Sequence, residues 1–269
     1  MNEIMRARVN LWKHLLVLSL VAGSLLILVL QMPIPQDTAY HQFADTRIIF
    51  GIPNFQNVIS NLPFILVGLA GVRFCFRQAH FDTRPAWLLF FSGISLVGIG
   101  SIYYHLDPSS NTLLWDRLPM AMGFMALFAG FLGELIDAKL TRYLLLPMTI
   151  VGFSSVMIWH LFDDLRFYVW VQFMPMLVIP VMLLLYRKRY SHAYLLVLAL
   201  LIYLLAKVLE VFDMEIFSHL HSAVGGHAMK HILAAAGGGV LLLMLSVRKP
   251  LSFVSGENTD GGDIRHPDV

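Results

Sequence analysis

The sequence predicts an all-α membrane protein with eight transmembrane spans. Three observations carry that prediction. Hydrophobic residues make up 58% of the 269 and charged residues only 13%, against roughly 25% charged in an ordinary soluble domain, and the mean hydropathy is +0.71. The apolar residues come in long runs, and runs of about 18 or more read as spans because a bilayer has no water to satisfy a non-helical backbone. Lys and Arg alternate in abundance from loop to loop, as a chain threaded back and forth through a membrane requires.

In order, the spans cover approximately 12–31, 55–76, 86–104, 114–136, 143–161, 167–186, 193–212 and 227–247. The first follows Arg6, Arg8 and Lys13, as a secretory signal does, but its apolar run is long and exits through Gln-Met-Pro-Ile-Pro with no A-x-A pattern. It reads as a retained anchor helix. The loop 32–54, with Pro33, Pro35, Gly51 and Pro53, is the longest connection between spans. From Lys249 onward the chain is polar and Gly-rich, and disorder is expected over 249–269. The single cysteine, Cys75, excludes an intramolecular disulfide and a cysteine-based zinc site.

With the N-terminus in the cytoplasm, all but five of the 19 Lys and Arg fall on the inner side. The exceptions are Arg47, Arg117, Arg166, Lys207 and Lys230. Both termini are then inside, an arrangement that fits a bacterial inner membrane.

Ionisable groups within spans are expensive and mark functional sites by default. On this topology Ser60, Asn61, Ser101, His105, Asp116, His160, Asp163, Asp164, Lys207, Glu210, Asp213, His227, Lys230 and His231 all lie in the outer half of the membrane. The inner half reads as nearly free of such groups apart from flanking basic residues.

Two spacings carry chemistry. His227 and His231 form H-x-x-x-H, two imidazoles on one helix face a turn apart, a suitable bite for a metal. Ser101 and His105 stand in the same i,i+4 relation. Three histidines from two helices and a water make an open tetrahedral zinc site of the hydrolytic kind. Asp116, eleven residues after His105 across a short turn, can face the same cavity and take a proton from that water. Of the 11 histidines only His105, His227 and His231 meet both depth and spacing. Each motif alone has a plainer reading: two interfacial histidines, a Ser101 that packs helices beside Gly98 and Gly100, an Asp116 that caps a helix or pairs with Arg117. Lys207 with Glu210 reads as a buried ion pair closing the bundle, and His219 and His221 as loop residues.

Four segments together resemble the alkaline ceramidases, within the seven-span hydrolase superfamily that also holds the adiponectin-receptor-like proteins. They are N-F-Q-N-V-I-S-N at 54–61, G-S-I-Y-Y-H at 100–105, W-D-x-x-P-M at 115–120 and G-H-A-M-K-H at 226–231. The resemblance implies a seven-transmembrane helix bundle over 45–248, preceded by an additional N-terminal transmembrane helix and outer loop over 1–44. It implies zinc on His105, His227 and His231, Asp116 orienting or deprotonating the attacking water, and Ser101 hydrogen-bonding the developing oxyanion. Ser60 falls where the family has a serine, with a structural or supporting role. The implied reaction is hydrolysis of ceramide or a related N-acyl lipid to a fatty acid and an amine. The implied partner is a membrane lipid and not a nucleic acid. The family's calcium-binding N-terminal segment ends in a glutamate where this chain has Asn54, leaving Asp45 as the nearby carboxylate, so Ca2+ binding is expected to be weak or absent. The loop would cover the site through Tyr40, His41 and Phe43.

Two other functions stay open on the residues alone. One is a zinc hydrolase of a lipid ester or phosphoester; the other is a seven-span receptor or metal transporter. Lys207 sits too near the outer end of its span for a retinal-type lysine. Polar groups on one side of the midplane argue against alternating access.

Overall fold

The computed structural model describes residues 3–78, 81–186 and 190–249, with the backbone alone over 3–10. The side chains of Arg6 and Arg8, residues Arg187, Lys188, Arg189 and Arg265, and the tail beyond Lys249 lie outside the described residues. The helices are α1 (Glu3–Val29), α2 (Phe55–Ile59), α3 (Leu62–Arg77), α4 (Arg84–Leu106), α5 (Ser110–Leu135), α6 (Ala138–Phe162), α7 (Arg166–Leu185), α8 (Tyr194–Val211), α9 (Asp213–His219) and α10 (Gly226–Val247). Among the described residues no strand forms, and an isolated bridge joins Ile49 to Ile52. Eight stretches are long and apolar enough to cross a membrane, matching the eight expected spans, and the protein is an integral multi-pass membrane protein.

Helix boundaries follow local chemistry that hydropathy alone does not see. Ser109 and Thr112 close a capping box that starts α5 with only three residues between it and the end of α4. Asp137 caps α6 through the Lys139 N–H at 2.8 Å. The expected second span is broken into α2 and α3. Pro63 has no N–H to continue the ladder, and the Asn61 side chain donates to the Asn57 carbonyl at 2.6 Å. Asp213 opens α9, a short helix within what hydropathy shows only as a connection between spans.

The helices alternate in direction, so the start of α3, the end of α4, the start of α5, the end of α8 and the start of α10 meet at one end of the bundle. α4 packs between α3 and α5, α5 meets α6 and α7, and α10 packs on α8 and α3. α1 lies outside on α7, where Arg166 donates to the terminal carbonyls Val29 O (3.0 Å) and Gln31 O (2.6 Å).

One expectation needs correction. The half of the bundle away from the histidines is not free of buried charge: Glu134, near the end of α5, is buried and accepts from Arg248 Nη1 (2.8 Å), Trp87 Nε1 (2.8 Å) and Thr83 Oγ1 (3.1 Å). Every partner of that carboxylate is a donor, which offsets the cost of burying it.

Candidate metal centre

His105 ends α4, and His227 and His231 occupy the first two turns of α10. All three are buried, with ring centroids 4.9–5.0 Å apart, and one nitrogen from each lies within 4.8 Å of the others. Such a group could hold a metal ion. Both ring nitrogens of His105 and Nε2 of His227 are buried without a hydrogen-bond partner. Buried polar atoms are paired in the large majority of cases, so a cluster of orphans marks a place where something else binds.

Two glycines let these helices approach. A Cβ on Gly100 would strike the backbone carbonyl of Trp115, so only glycine allows α4 and α5 to touch beside Ser101 and Asp116. A Cβ on Gly226 would strike the Leu209 carbonyl of α8 and fall 3.1 Å from Asp213 Cα, so the start of α10 is likewise seated backbone to backbone. Both glycines are the first letters of the sequence motifs that carry the histidines.

Ser60 joins the cluster from the α2–α3 break. Its Oγ donates to the Asn57 carbonyl (3.1 Å) and lies 2.9 Å from His231 Nδ1. With the hydroxyl proton given to Asn57, the oxygen accepts from Nδ1–H, and Nε2 is left as the basic nitrogen of His231. Asp213 accepts the His227 backbone N–H (2.8 Å) and, through its other oxygen, the Ala44 N–H (2.9 Å). Asn54, in the left-handed region at φ 48, donates its amide to the His105 carbonyl at 2.9 Å. The position that differs from the resembled family therefore serves to dock the loop on α4.

The loop 32–54 lies against the cluster. Phe43 packs at a tilt against His105 (4.7 Å) and His227 (4.5 Å) and is itself buried. His41 Nδ1 is 2.9 Å from Tyr104 Oη; burial, then the charge of Arg117, holds its imidazole below the usual range. Tyr40 Oη donates to Glu210 at 3.1 Å. Asp45 accepts Arg47 Nε at 2.7 Å and Nη2 at 2.9 Å. Burial raises its carboxyl, but hydrogen bonds and charge from Arg47 outweigh that and hold it below the ordinary carboxylate value. Both Asp45 oxygens are thus engaged by a guanidinium.

A cavity of about 380 Å3 runs from His231, the one histidine of the three that lines it, into the bundle. Ser101, Asp116 and His231 line its polar end; Phe90, Ile179, Leu183 and Leu196 line the rest. α7 packs on α5, α6 and α1, α8 packs on α10, and the cavity lies between α7 and α8. It follows α7 from Leu165 to Leu183, roughly 27 Å at the helical rise per residue, close to the hydrocarbon thickness of a bilayer. Asp116 is buried with Oδ1 unpartnered, and Ser101 makes no hydrogen bond among the described residues. Asp116 and Arg117 do not form an ion pair; adjacent helical residues point in different directions, and Arg117 lies among aromatic rings instead. The Lys207–Glu210 pair is present at 2.7 Å, and Glu210 also takes Lys230, a cross-helix partner that spacing within one helix could not disclose.

The family model described as Ceramidase matches residues 47–252. No curated protein matches the chain.

Proposed function

The chain belongs to the ceramidase family, and from that premise we propose that it is a zinc-dependent amidase, releasing a fatty acid and an amine from ceramide or a related N-acyl lipid. The observation that carries the reading is the convergence of His105, His227 and His231, buried and short of hydrogen-bond partners, at the polar end of a long apolar cavity. Three neutral imidazoles and no thiolate suit a zinc site with an open position. Zinc held there supplies Lewis acidity, polarising the amide carbonyl and making water acidic near neutral pH.

The chain's own residues do the rest. The cavity takes the acyl chain along its apolar length and delivers the amide to the polar end. Asp116 accepts a proton from the attacking water as oxygen bonds to the carbonyl carbon, then returns it to the nitrogen when the C–N bond breaks. Ser101 donates a hydrogen bond to the carbonyl oxygen as negative charge gathers on it. Phe43 and the loop behind it exclude bulk water from two of the three imidazoles. We take 45–248 as the hydrolase core with 1–44 as anchor and cover, and on the Lys/Arg distribution we place the histidine end toward the outer face.

The test is to purify the protein, quantify bound zinc and assay fatty-acid release from N-acyl lipids for wild type, His231→Ala and Asp116→Ala. His231→Ala is expected to lose metal; Asp116→Ala is expected to keep metal and lose at least 100-fold in turnover, the scale of general acid–base catalysis (~10²–10⁴-fold). A metal-free active enzyme, or a metal-loaded wild type that cleaves no N-acyl lipid, sinks the proposal.

A further inference from the structure

Besides His231, five acidic or strongly basic side chains line the cavity: Asp116, Arg117, Lys207, Glu210 and Lys230. Glu210 engages both lysines, one through each oxygen, and also accepts from Tyr40. Arg117 has no such partner. It is 5% exposed, makes no hydrogen bond or ion pair among the described residues, and its Nη1 is fully buried and orphaned. What surrounds it is aromatic: Trp159 at 4.2 Å, Tyr168 at 4.8 Å and Tyr40 at 5.4 Å from the guanidinium carbon to the ring centroids. Ring faces stabilise the cation but accept nothing from its in-plane N–H groups. A rigid fork of donors is therefore held by its faces and left free at its edge, the arrangement that receives two oxygens of an oxyacid side by side.

We propose that Arg117 is an anion subsite, so that the preferred substrate is an N-acyl lipid whose amine portion carries a carboxylate, sulfonate or phosphate. The inference rests on the amidase reading and narrows its substrate. Asp116 and Arg117 both line this cavity, each from its own direction, and with the acyl chain along the apolar length between Phe90 and Leu183 the group left at their end belongs to the amine. Three cations face two carboxylates there, and a neutral polyhydroxyl amine leaves the excess charge unanswered.

The experiment compares N-oleoyl glycine, N-oleoyl taurine and N-oleoyl phosphoethanolamine with neutral N-oleoyl ethanolamine, which separates the three anion types. Wild type is expected to favour at least one anionic amide by roughly 10- to 100-fold in kcat/KM, chiefly through KM, as a charge-assisted bidentate contact supplies. Arg117→Gln brings that ratio near one, and Arg117→Lys, which keeps the charge without the fork, recovers part of it. A wild type that prefers the ethanolamide, or a glutamine variant that keeps the ratio, overturns the subsite. The wild-type panel decides the matter if Arg117→Gln does not fold. If wild type cleaves none of these amides and no N-oleoyl sphingosine either, the amidase reading fails. The subsite is then read by calorimetry with ketone analogues, CH2 replacing the amide NH, ending in sulfonate or hydroxyl. Tighter sulfonate binding that Arg117→Gln abolishes upholds the subsite, and equal binding overturns it.

Discussion

Ser60→Ala removes one buried oxygen and asks whether the α2–α3 break supports the histidine cluster. Ser60 Oγ stands 2.9 Å from His231 Nδ1 and gives its own proton to Asn57 O at 3.1 Å. A metal on Nε2 forces the imidazole proton onto Nδ1, where the serine oxygen accepts it. Without metal, the neutral ring can carry its proton on Nε2 and needs no acceptor at Nδ1. The loss therefore falls on the metal-bound form. A buried donor left unsatisfied costs about 1–3 kcal/mol, which is roughly a 5- to 150-fold loss of metal affinity at 1.4 kcal/mol per decade. That range brackets the ~10- to 100-fold effect of removing the outer partner of a ligating histidine. The assay is competition for zinc against a chromophoric chelator with purified protein in detergent. Ser60→Thr, which keeps the hydroxyl, is expected to retain most of the affinity, and excess zinc is expected to restore the turnover of Ser60→Ala. A folded Ser60→Ala protein that binds zinc as tightly as wild type refutes the reasoning.

Three further outcomes follow from the packing. Gly100→Ala puts a methyl against the Trp115 backbone, which cannot swing aside as a side chain can; a loss of about 1–3 kcal/mol is expected as a lower thermal midpoint, and an unchanged midpoint contradicts the close approach of α4 and α5. The Asp45 carboxyl is held below its unfolded value, so its contribution is complete above roughly pH 4 and is lost as pH falls through the folded-state value. Thermal midpoints of wild type and Asp45→Asn are thus expected to differ near neutral pH and to converge in acid, whereas a constant gap rules out the pairing with Arg47 as its source. Glu210→Gln strands two half-buried ammonium groups, and a loss of about 1–3 kcal/mol is expected. Adding Lys230→Met should recover part of it in unfolding measurements, and no recovery speaks against a shared carboxylate.

What could be read from the sequence was whatever depends on residues close together in the chain. Eight apolar runs need only local composition, and all eight spans appear in the fold. H-x-x-x-H and S-x-x-x-H need only the helical repeat, and the three histidines chosen on depth and spacing form the one candidate metal group among the described residues. The features that were missed are set by contacts across the chain. Ser60 meets His231 over a separation of 171 residues, Asn54 reaches His105 over 51, and Ala44 hangs from Asp213 over 169. Glu134 was passed over because one carboxylate near the end of an apolar run leaves hydropathy nearly unchanged, and its partner Arg248 lies 114 residues away.

Arg117 marks the boundary between these two kinds of information. Its place one residue after Asp116 was legible, and pairing with that neighbour was the plain reading. A helix advances about 100° per residue, however, so neighbours in sequence diverge in space, and Arg117 turns instead toward Trp159 of α6 and Tyr168 of α7. Neither ring neutralises it. A charge kept in a membrane interior without a counter-ion persists only where some gain offsets its burial. Glu210 supplies that gain for Lys207 and Lys230, and the helices they come from, α8 and α10, are thereby joined at the rim of the cavity. Arg117 pairs with no carboxylate among the described residues, and on the subsite proposal its anion arrives with the lipid in the cavity that Arg117 lines.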